Sequence, residues 1–288
     1  MKKNKMVLGT AQFGMDYGIN NKRGKIPRNE VFKILETAFE SGIDILDTAY
    51  AYGESESVIG EFINTTGREL KIISKLPVCE PEDVGDIFDT SINRLALNSL
   101  YGYYIHSFQN YMDNPEIWNV LVRMKSEGKI SKIGFSLYYP SELDYLLDNE
   151  ILFDIIQIPY SIFDQRFGSY FSILNEKKIE VYVRSVFLQG LIFKAPSELG
   201  EDFDKVKDKI KRLNEISKGT DFSLASLLLN FAVLNDNVDR VVVGVDSIEN
   251  LKELLTSSEH TDKIKPIMPE LLSFREDDEK IILPMNWR

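Results

Sequence analysis

The chain of 288 residues has one cysteine and two histidines, and its 34 lysine and arginine residues are outnumbered by 45 aspartate and glutamate residues. Each scarcity excludes a class of function. One cysteine closes no internal disulfide and builds no thiolate metal cage, which predicts a reducing, cytoplasmic setting. Two histidines are too few for a histidine-rich site, so no metal is expected. A formal net charge of −11 argues against nucleic acid as a partner, because tracking phosphates needs clustered excess cation. There is no run of about 18 apolar residues, so no membrane span is predicted. The basic start Met1-Lys2-Lys3-Asn4-Lys5 is followed by too few apolar residues before Gly9 and Gln12 to act as a secretory leader. No linker, low-complexity tract or charge block divides the chain.

What is present is an alternation of two kinds of segment. Short β-rich apolar runs that end in a polar residue occur at Met6–Thr10, Ile43–Asp47, Leu70–Lys75, Leu100–His106, Ile130–Ser136, Phe153–Gln157, Ile179–Arg184 and Arg240–Gly244. Between them lie stretches with apolar residues at helical spacing. Val31, Ile34, Leu35 and Ala38 make one such face, and Ile87, Ser91, Leu95 and Asn98 a weaker one. Ile117–Met124, Phe203–Ile216, Leu224–Val233 and Ile248–Leu255 read as further helices, with Pro27 near one helix start and Gly128 after one helix end.

Eight such strands separated by helices predict an α/β fold with a parallel sheet. The length suits one (β/α)8 TIM barrel of about 250 residues plus a tail, with a doubly wound sheet as the rival. The expectation is a single domain over residues 1–288, with the barrel over about 6–260 and an irregular tail over about 265–288.

In such a barrel the carboxyl ends of the strands line the active site. Those ends read Asp47, Lys75, His106, Ser136, Gln157 and Arg184, and Tyr52 follows five residues after Asp47. Taken singly, Asp47 reads as a cap, Lys75 as a solvated charge, and Tyr52 and His106 as packing residues. Together they suit carbonyl reduction, in which the carbonyl oxygen must gain a proton as charge builds on it. An ammonium beside a phenol favours the phenolate and is expected to bring Tyr52 toward its working range. Lys75 could instead act as a Schiff-base amine in a cofactor-free isomerase or lyase.

Gly9-Thr10-Ala11-Gln12-Phe13-Gly14, Asp47-Thr48-Ala49-Tyr50-Ala51-Tyr52-Gly53, Ile73-Ser74-Lys75 and Tyr104-Ile105-His106 together resemble the aldo/keto reductase family, over nearly the whole chain. The resemblance implies a catalytic tetrad of Asp47, Tyr52, Lys75 and His106, with Tyr52 as general acid/base. It also implies NADP(H) or NAD(H), bound without a Rossmann domain, which agrees with the lack of a GxGxxG motif. For the cofactor it implies Gly9, Thr10 and Asp47; Ser136 in Gly134-Phe135-Ser136-Leu137, where Leu137 replaces the family's Asn; and Gln157. It further implies Arg184 and Ser185, where the family often has an aromatic residue, together with Gly190. The segment beginning Gly244-Val245-Asp246-Ser247 resembles the one that binds the adenosine end, through Gly244, Asp246, Asn250 and Glu253. Asp246 is suited to a ribose hydroxyl and unsuited to a phosphate, while Lys252 is the nearest cation in sequence, and Asp246 or Ser247 could equally cap the following helix.

The function implied is an NAD(P)(H)-dependent oxidoreductase that interconverts a carbonyl (aldehyde, ketone or sugar-like) and an alcohol. The partner is a small molecule, and the oligomeric state is left open. The alternative is a catalytically weak, cofactor-sensing subunit on the same fold. Phe13, Tyr138, Tyr139, Phe187 and Trp287 are candidates for aromatic walls, and residues 16–25 form a loop long enough to overhang the mouth. The loop from Phe108 to Pro115 is short, which suggests an open cleft. Cys79 follows the third strand as a packing residue. The second histidine, His260, falls after the last helix-like run.

Overall fold

The structure is a computed structural model that describes residues 4–19, 21, 23–220, 222–257 and 261–287; His260 lies outside the described residues. Eight strands form a closed parallel barrel in sequence order. They are β1 (Met6–Gly9), β2 (Ile45–Asp47), β3 (Lys71–Leu76), β4 (Leu100–Ile105), β5 (Ile130–Ser136), β6 (Ile155–Pro159), β7 (Glu180–Arg184) and β8 (Arg240–Gly244). The ring closes where Met6–Gly9 pairs with Val241–Gly244. This is the TIM barrel expected from the alternation.

Boundaries moved where local turns compete with the sheet. β2 begins at Ile45 because Ile43 still belongs to the end of the preceding helix, its N–H bonding the Ala38 carbonyl at 2.9 Å. The helix Arg28–Glu40 buries Val31, Ile34, Leu35 and Ala38 at the predicted spacing. The next predicted face is corrected. The helix Val84–Leu95 buries Val84, Phe88, Ser91 and Leu95, and left-handed Ala96 (φ 54) ends it before Asn98. The helix Ser55–Thr66 was not anticipated because Ser55 and Glu56, both polar, belong to its buried face beside Val58, Ile59 and Phe62.

The two-residue period of a strand explains how one fold layer becomes a floor and the next a site. Val7, Ile45, Ile73, Tyr104, Ile155 and Tyr182 fill the barrel interior as a cluster of their own. Two residues further along each of these strands stand Gly9, Asp47, Lys75, His106, Gln157 and Arg184. The apolar layer seals the barrel from below, and the polar layer sits above it at the carboxyl ends. Gly102 leaves room for that seal, since a Cβ there would lie 2.9 Å from Ile155 Cδ1 and 3.1 Å from Ile73 Cγ1.

The tail is a series of short helical turns, at Lys265–Ile267, Met268–Leu272, Glu279–Ile282 and Pro284–Asn286. It is anchored by burial of Leu271, Phe274, Ile281, Ile282 and Leu283. It also grips the segment after β6, where the Glu276 N–H bonds the Phe163 carbonyl at 2.8 Å and Arg166 pairs with Glu279 at 3.2 Å.

Candidate active site

Lys75 and Asp47 form the buried centre of the barrel mouth, with side-chain exposures of 1% and 4%. Lys75 Nζ donates to Asp47 Oδ1 at 2.5 Å and to the Thr48 carbonyl at 2.8 Å. Gln157 Nε2 donates to the other carboxylate oxygen, Oδ2, at 2.7 Å. The charge pair is thus internally matched and fully hydrogen-bonded on the carboxylate side, the condition under which a buried ion pair is tolerated.

Tyr52 reaches this centre from the turn after β2. That turn lies against the short helix Ala11–Gly14 so closely that a Cβ on Gly14 would fall 1.8 Å from the Tyr52 carbonyl. Gly53 is left-handed (φ +55), and a Cβ there would lie 2.4 Å from the Gly14 carbonyl. Two glycines therefore let the segments meet, and the Ser55 hydroxyl fastens them through Thr10 Oγ1 at 2.8 Å and Thr48 Oγ1 at 3.1 Å. The centroid of the Tyr52 ring lies 5.0 Å from Lys75 Nζ and 6.1 Å from the centroid of the His106 ring. Asp47, Tyr52, Lys75 and His106 are brought together.

The electrostatics differ from the sequence expectation. Burial, and then the Asp47 charge, push the Tyr52 phenol well above its ordinary value of 10.0, with Arg184 opposing them. Lys75 Nζ lies over the Tyr52 ring and directs its hydrogen bonds to Asp47 and Thr48. Tyr52 therefore keeps its proton at neutral pH. His106 moves the other way: burial, with the positive charges of Lys75 and Arg184, lowers it from 6.5 to about 3, so its ring is neutral at pH 7.

That shift has a measurable sign. The unfolded chain takes up the His106 proton near pH 6.5 and the folded chain only near pH 3. The neutral ring therefore contributes stability that is complete above about pH 6.5 and is lost as pH falls toward 3. Urea unfolding of the parent and of His106→Gln across about pH 6.5 to pH 4 is expected to show a shallower loss in the variant. Equal slopes would mean that the ring is not buried as described.

A cavity of about 500 Å³ opens from this centre, and it is lined by Asp47, Tyr52, Gln157 and Arg184. It runs on past Gly9, Thr10, Ser185, Gly190 and Gly244 to Asp246, Asn250 and Glu253. Ser136 is the one sequence-predicted cofactor residue outside this lining; it is buried at the end of β5, beside Gln157 in the sheet. Among the aromatic candidates Phe187 lines the cavity. Phe13 is in the core and Trp287 packs on Phe203 with ring centroids 5.6 Å apart. The segment expected as a short loop, Phe108 to Pro115, is for most of its length a helix, Phe108–Asp113, capped by Ser107, and Phe108 packs against Phe135. Cys79 lines a separate depression beside Tyr50 and Asp83, where burial and nearby acids push its thiol up to about 11.

The backbone conformation of the loop after β7 gave no signal in the sequence. Ser185 (φ 62), Leu188 (φ 44) and Gln189 (φ 49) are left-handed, and Gly190 (φ 94) follows them. Such backbone costs about 1–3 kcal/mol per non-glycine residue and persists where the surroundings impose it. Gln189 holds its position across the cavity: its carbonyl accepts from the Ile19 N–H at 3.1 Å and its Nε2 donates to Tyr17 Oη at 3.2 Å. The loop after β1 thus meets the loop after β7 over the cavity, in line with the overhang expected of residues 16–25. At the far end Ser247 caps the helix Ile248–Ser257, accepting the Asn250 N–H at 3.2 Å. The cation that reaches this end is Arg23, whose Nη1 donates to the Asp246 carbonyl at 3.3 Å while Glu30 holds the guanidinium at 3.1 and 2.7 Å.

Among the described residues no group of three or more His, Cys, Asp or Glu could hold a metal, and no helix is long and apolar enough to cross a membrane.

The sequence profile of the Aldo/keto reductase family matches residues 5–266. An uncharacterized oxidoreductase, YqkF, of Bacillus subtilis (strain 168) is 24% identical over 276 residues, covering 86% of this chain and 89% of that protein. Pyridoxal 4-dehydrogenase of Microbacterium luteolum is 22% identical over 303 residues, covering 85% and 86%. The solved structure of the holo form of aldo-keto reductase AKR11C1 from Bacillus halodurans is similar with a TM-score of 0.77 and 22% identity, covering 96% of this chain and 94% of that one.

Proposed function

The chain belongs to the aldo/keto reductase family, and from that premise we propose that it is a nicotinamide-dependent oxidoreductase that interconverts a small aldehyde or ketone with its alcohol, using Tyr52 as the proton donor and acceptor. The observation that carries this reading is a protonated phenol at the mouth of the cavity, beside a buried lysine and a neutral histidine.

The cavity suits a dinucleotide on its own chemistry. It is elongated from the Asp47 centre to the start of a ten-residue helix, where backbone N–H groups favour an anion. Gln157 has a second N–H and an acceptor oxygen besides the donor given to Asp47, which suits a carboxamide. Ser185 and Gly190 line the middle, and Asp246, Asn250 and Glu253 the far end. When bound, the dinucleotide supplies the hydride.

The protein's own part is to move a proton and hold charge. In reduction Tyr52 gives its phenolic proton to the carbonyl oxygen as negative charge develops there. His106, neutral, offers a ring N–H to the same oxygen without adding a formal charge to the site. Lys75, paired with Asp47 and bonded to Thr48, offsets the carboxylate charge that would otherwise oppose the phenolate left behind. The apolar floor of Tyr104, Ile73 and Ile155 keeps water from the buried side.

The adenosine end favours NAD(H) over NADP(H). Asp246 and Glu253 line it, Glu249 lies close by, and the guanidinium of Arg23 is already paired with Glu30. A 2′-phosphate would meet carboxylates, whereas a ribose hydroxyl can donate to one. Fluorescence titration is expected to give an NADH Kd no weaker than that for NADPH. A preference for NADPH of about a hundredfold, some 2.7 kcal/mol, would overturn this assignment.

A further inference from the structure

Arg184 is the charge in the mouth that has no counterpart. Among the described residues its guanidinium makes no ion pair. Nη2 donates to the Leu137 carbonyl at 2.9 Å and Nη1 to Ser185 Oγ at 3.2 Å, both neutral acceptors. The guanidinium carbon stands 4.1 Å from the centroid of the Tyr138 ring, a cation–π contact that fixes the plane of the group. The other charges of the mouth cancel, because Asp47 is matched by Lys75. Tyr52 and Tyr17 are neutral phenols, and His106 is a neutral ring. A chain with a formal net charge of −11 therefore presents one surplus positive charge, half-buried, at the Asp47 end of its cavity, away from Asp246 and Glu253.

Placing a cation there without a partner is costly unless an anion arrives to meet it. Arg184 is built to receive one. A guanidinium has five N–H donors; two are engaged, and the remainder form a pre-oriented fork of the kind that takes a carboxylate or phosphate in a bidentate grip. The field of Arg184 reaches Tyr52 and His106, opposing the proton affinity of both, so the anion would bind within a small molecule's length of the reacting carbonyl.

We propose that Arg184 anchors an oxyanion on the substrate, and that the substrates of this enzyme are small aldehydes, ketones or alcohols bearing a carboxylate or phosphate close to the reacting carbon. The inference rests on the oxidoreductase reading for its chemistry, and on the unpaired guanidinium alone for its binding.

Two measurements test the two parts separately. In the first, calorimetry follows oxalate and inorganic phosphate binding to the full chain. Arg184→Met is expected to weaken binding by about tenfold to a hundredfold, and Arg184→Lys to retain part of it, as for a charge-assisted hydrogen bond. Equal binding by the parent and Arg184→Met would overturn the proposal. In the second, turnover is compared within matched pairs, 4-carboxybenzaldehyde against benzaldehyde and glyceraldehyde 3-phosphate against glyceraldehyde. The parent is expected to prefer the anionic member, the pair with the larger preference identifying carboxylate or phosphate, and Arg184→Met to lower the anionic-to-neutral ratio of kcat/KM by about tenfold or more. A ratio unchanged by the substitution, or a loss confined to NADH affinity, would assign Arg184 to the cofactor and overturn the proposal while leaving the oxidoreductase reading intact. Anion binding that depends on Arg184, with no aldehyde reduced, would support the anchor and remove the oxidoreductase reading.

Discussion

Tyr52→Phe is expected to lower kcat by about a hundredfold to ten-thousandfold, the range supplied by a positioned general acid, while moving the Kd of the dinucleotide by no more than about threefold. The separation follows from the geometry. The phenol is raised by burial and by Asp47 and is therefore the group that holds a proton at neutral pH. Loss of one oxygen leaves the ring to pack beside His106 and over Lys75. Its backbone setting survives as well, because Gly14, Gly53 and the Ser55 hydroxyl fix the turn without the side chain. Steady-state kinetics and cofactor titration on the same preparation would check both halves. Retained turnover would transfer the proton role to another group, and lost cofactor binding would make Tyr52 a structural residue of the cavity.

The second large effect is on stability. Lys75→Met strands the Asp47 carboxylate inside the barrel with Gln157 as its remaining side-chain donor. Removing one partner of a buried ion pair costs about 3–5 kcal/mol, chiefly because the other charge is left uncompensated. The double variant Asp47→Asn, Lys75→Met has no stranded charge and is expected to recover about half of that loss or more. Urea unfolding of the single and double variants measures it. A single variant within about 1 kcal/mol of the parent would mean that water reaches Asp47.

These two residues show what the sequence could and could not reveal. Asp47, Lys75, His106, Gln157 and Arg184 were readable because each closes an apolar run, and the two-residue period then carries every one of them to the same layer above Ile45, Ile73, Tyr104, Ile155 and Tyr182. The division of hydrogen bonds was not readable. The sequence put a lysine near a tyrosine, but whether the ammonium serves the phenol or the carboxylate depends on distances of a few ångströms, and the carboxylate won. The neutrality of His106 likewise comes from burial and from charges on other strands.

Loop contacts were the other blind spot. Tyr17 and Gln189 are 172 positions apart, and Arg23 and Asp246 are 223 apart. No local period or cap relates such pairs; they meet because a closed ring makes β1 the neighbour of β8 and brings the loops of one rim together. Lys252 looked like the nearest cation to Asp246 along the chain, whereas the fold supplies Arg23. The helix Val84–Leu95 shows the same limit on a smaller scale, its inner face being set by Phe88 against Tyr103, with ring centroids 5.7 Å apart, and not by Ile87.

The central claim is hydride transfer to a carbonyl, and isotope transfer tests it most directly. The protein would be mixed with NADH or NADPH deuterated at the transferable position and with the aldehydes named above, and the alcohols would be analysed by mass spectrometry. The expected product is alcohol carrying one deuterium from the cofactor, formed by the parent and strongly reduced in Tyr52→Phe. Tight cofactor binding with no deuterated alcohol from any aldehyde would contradict it, and would leave the chain as a cofactor-binding barrel without this chemistry.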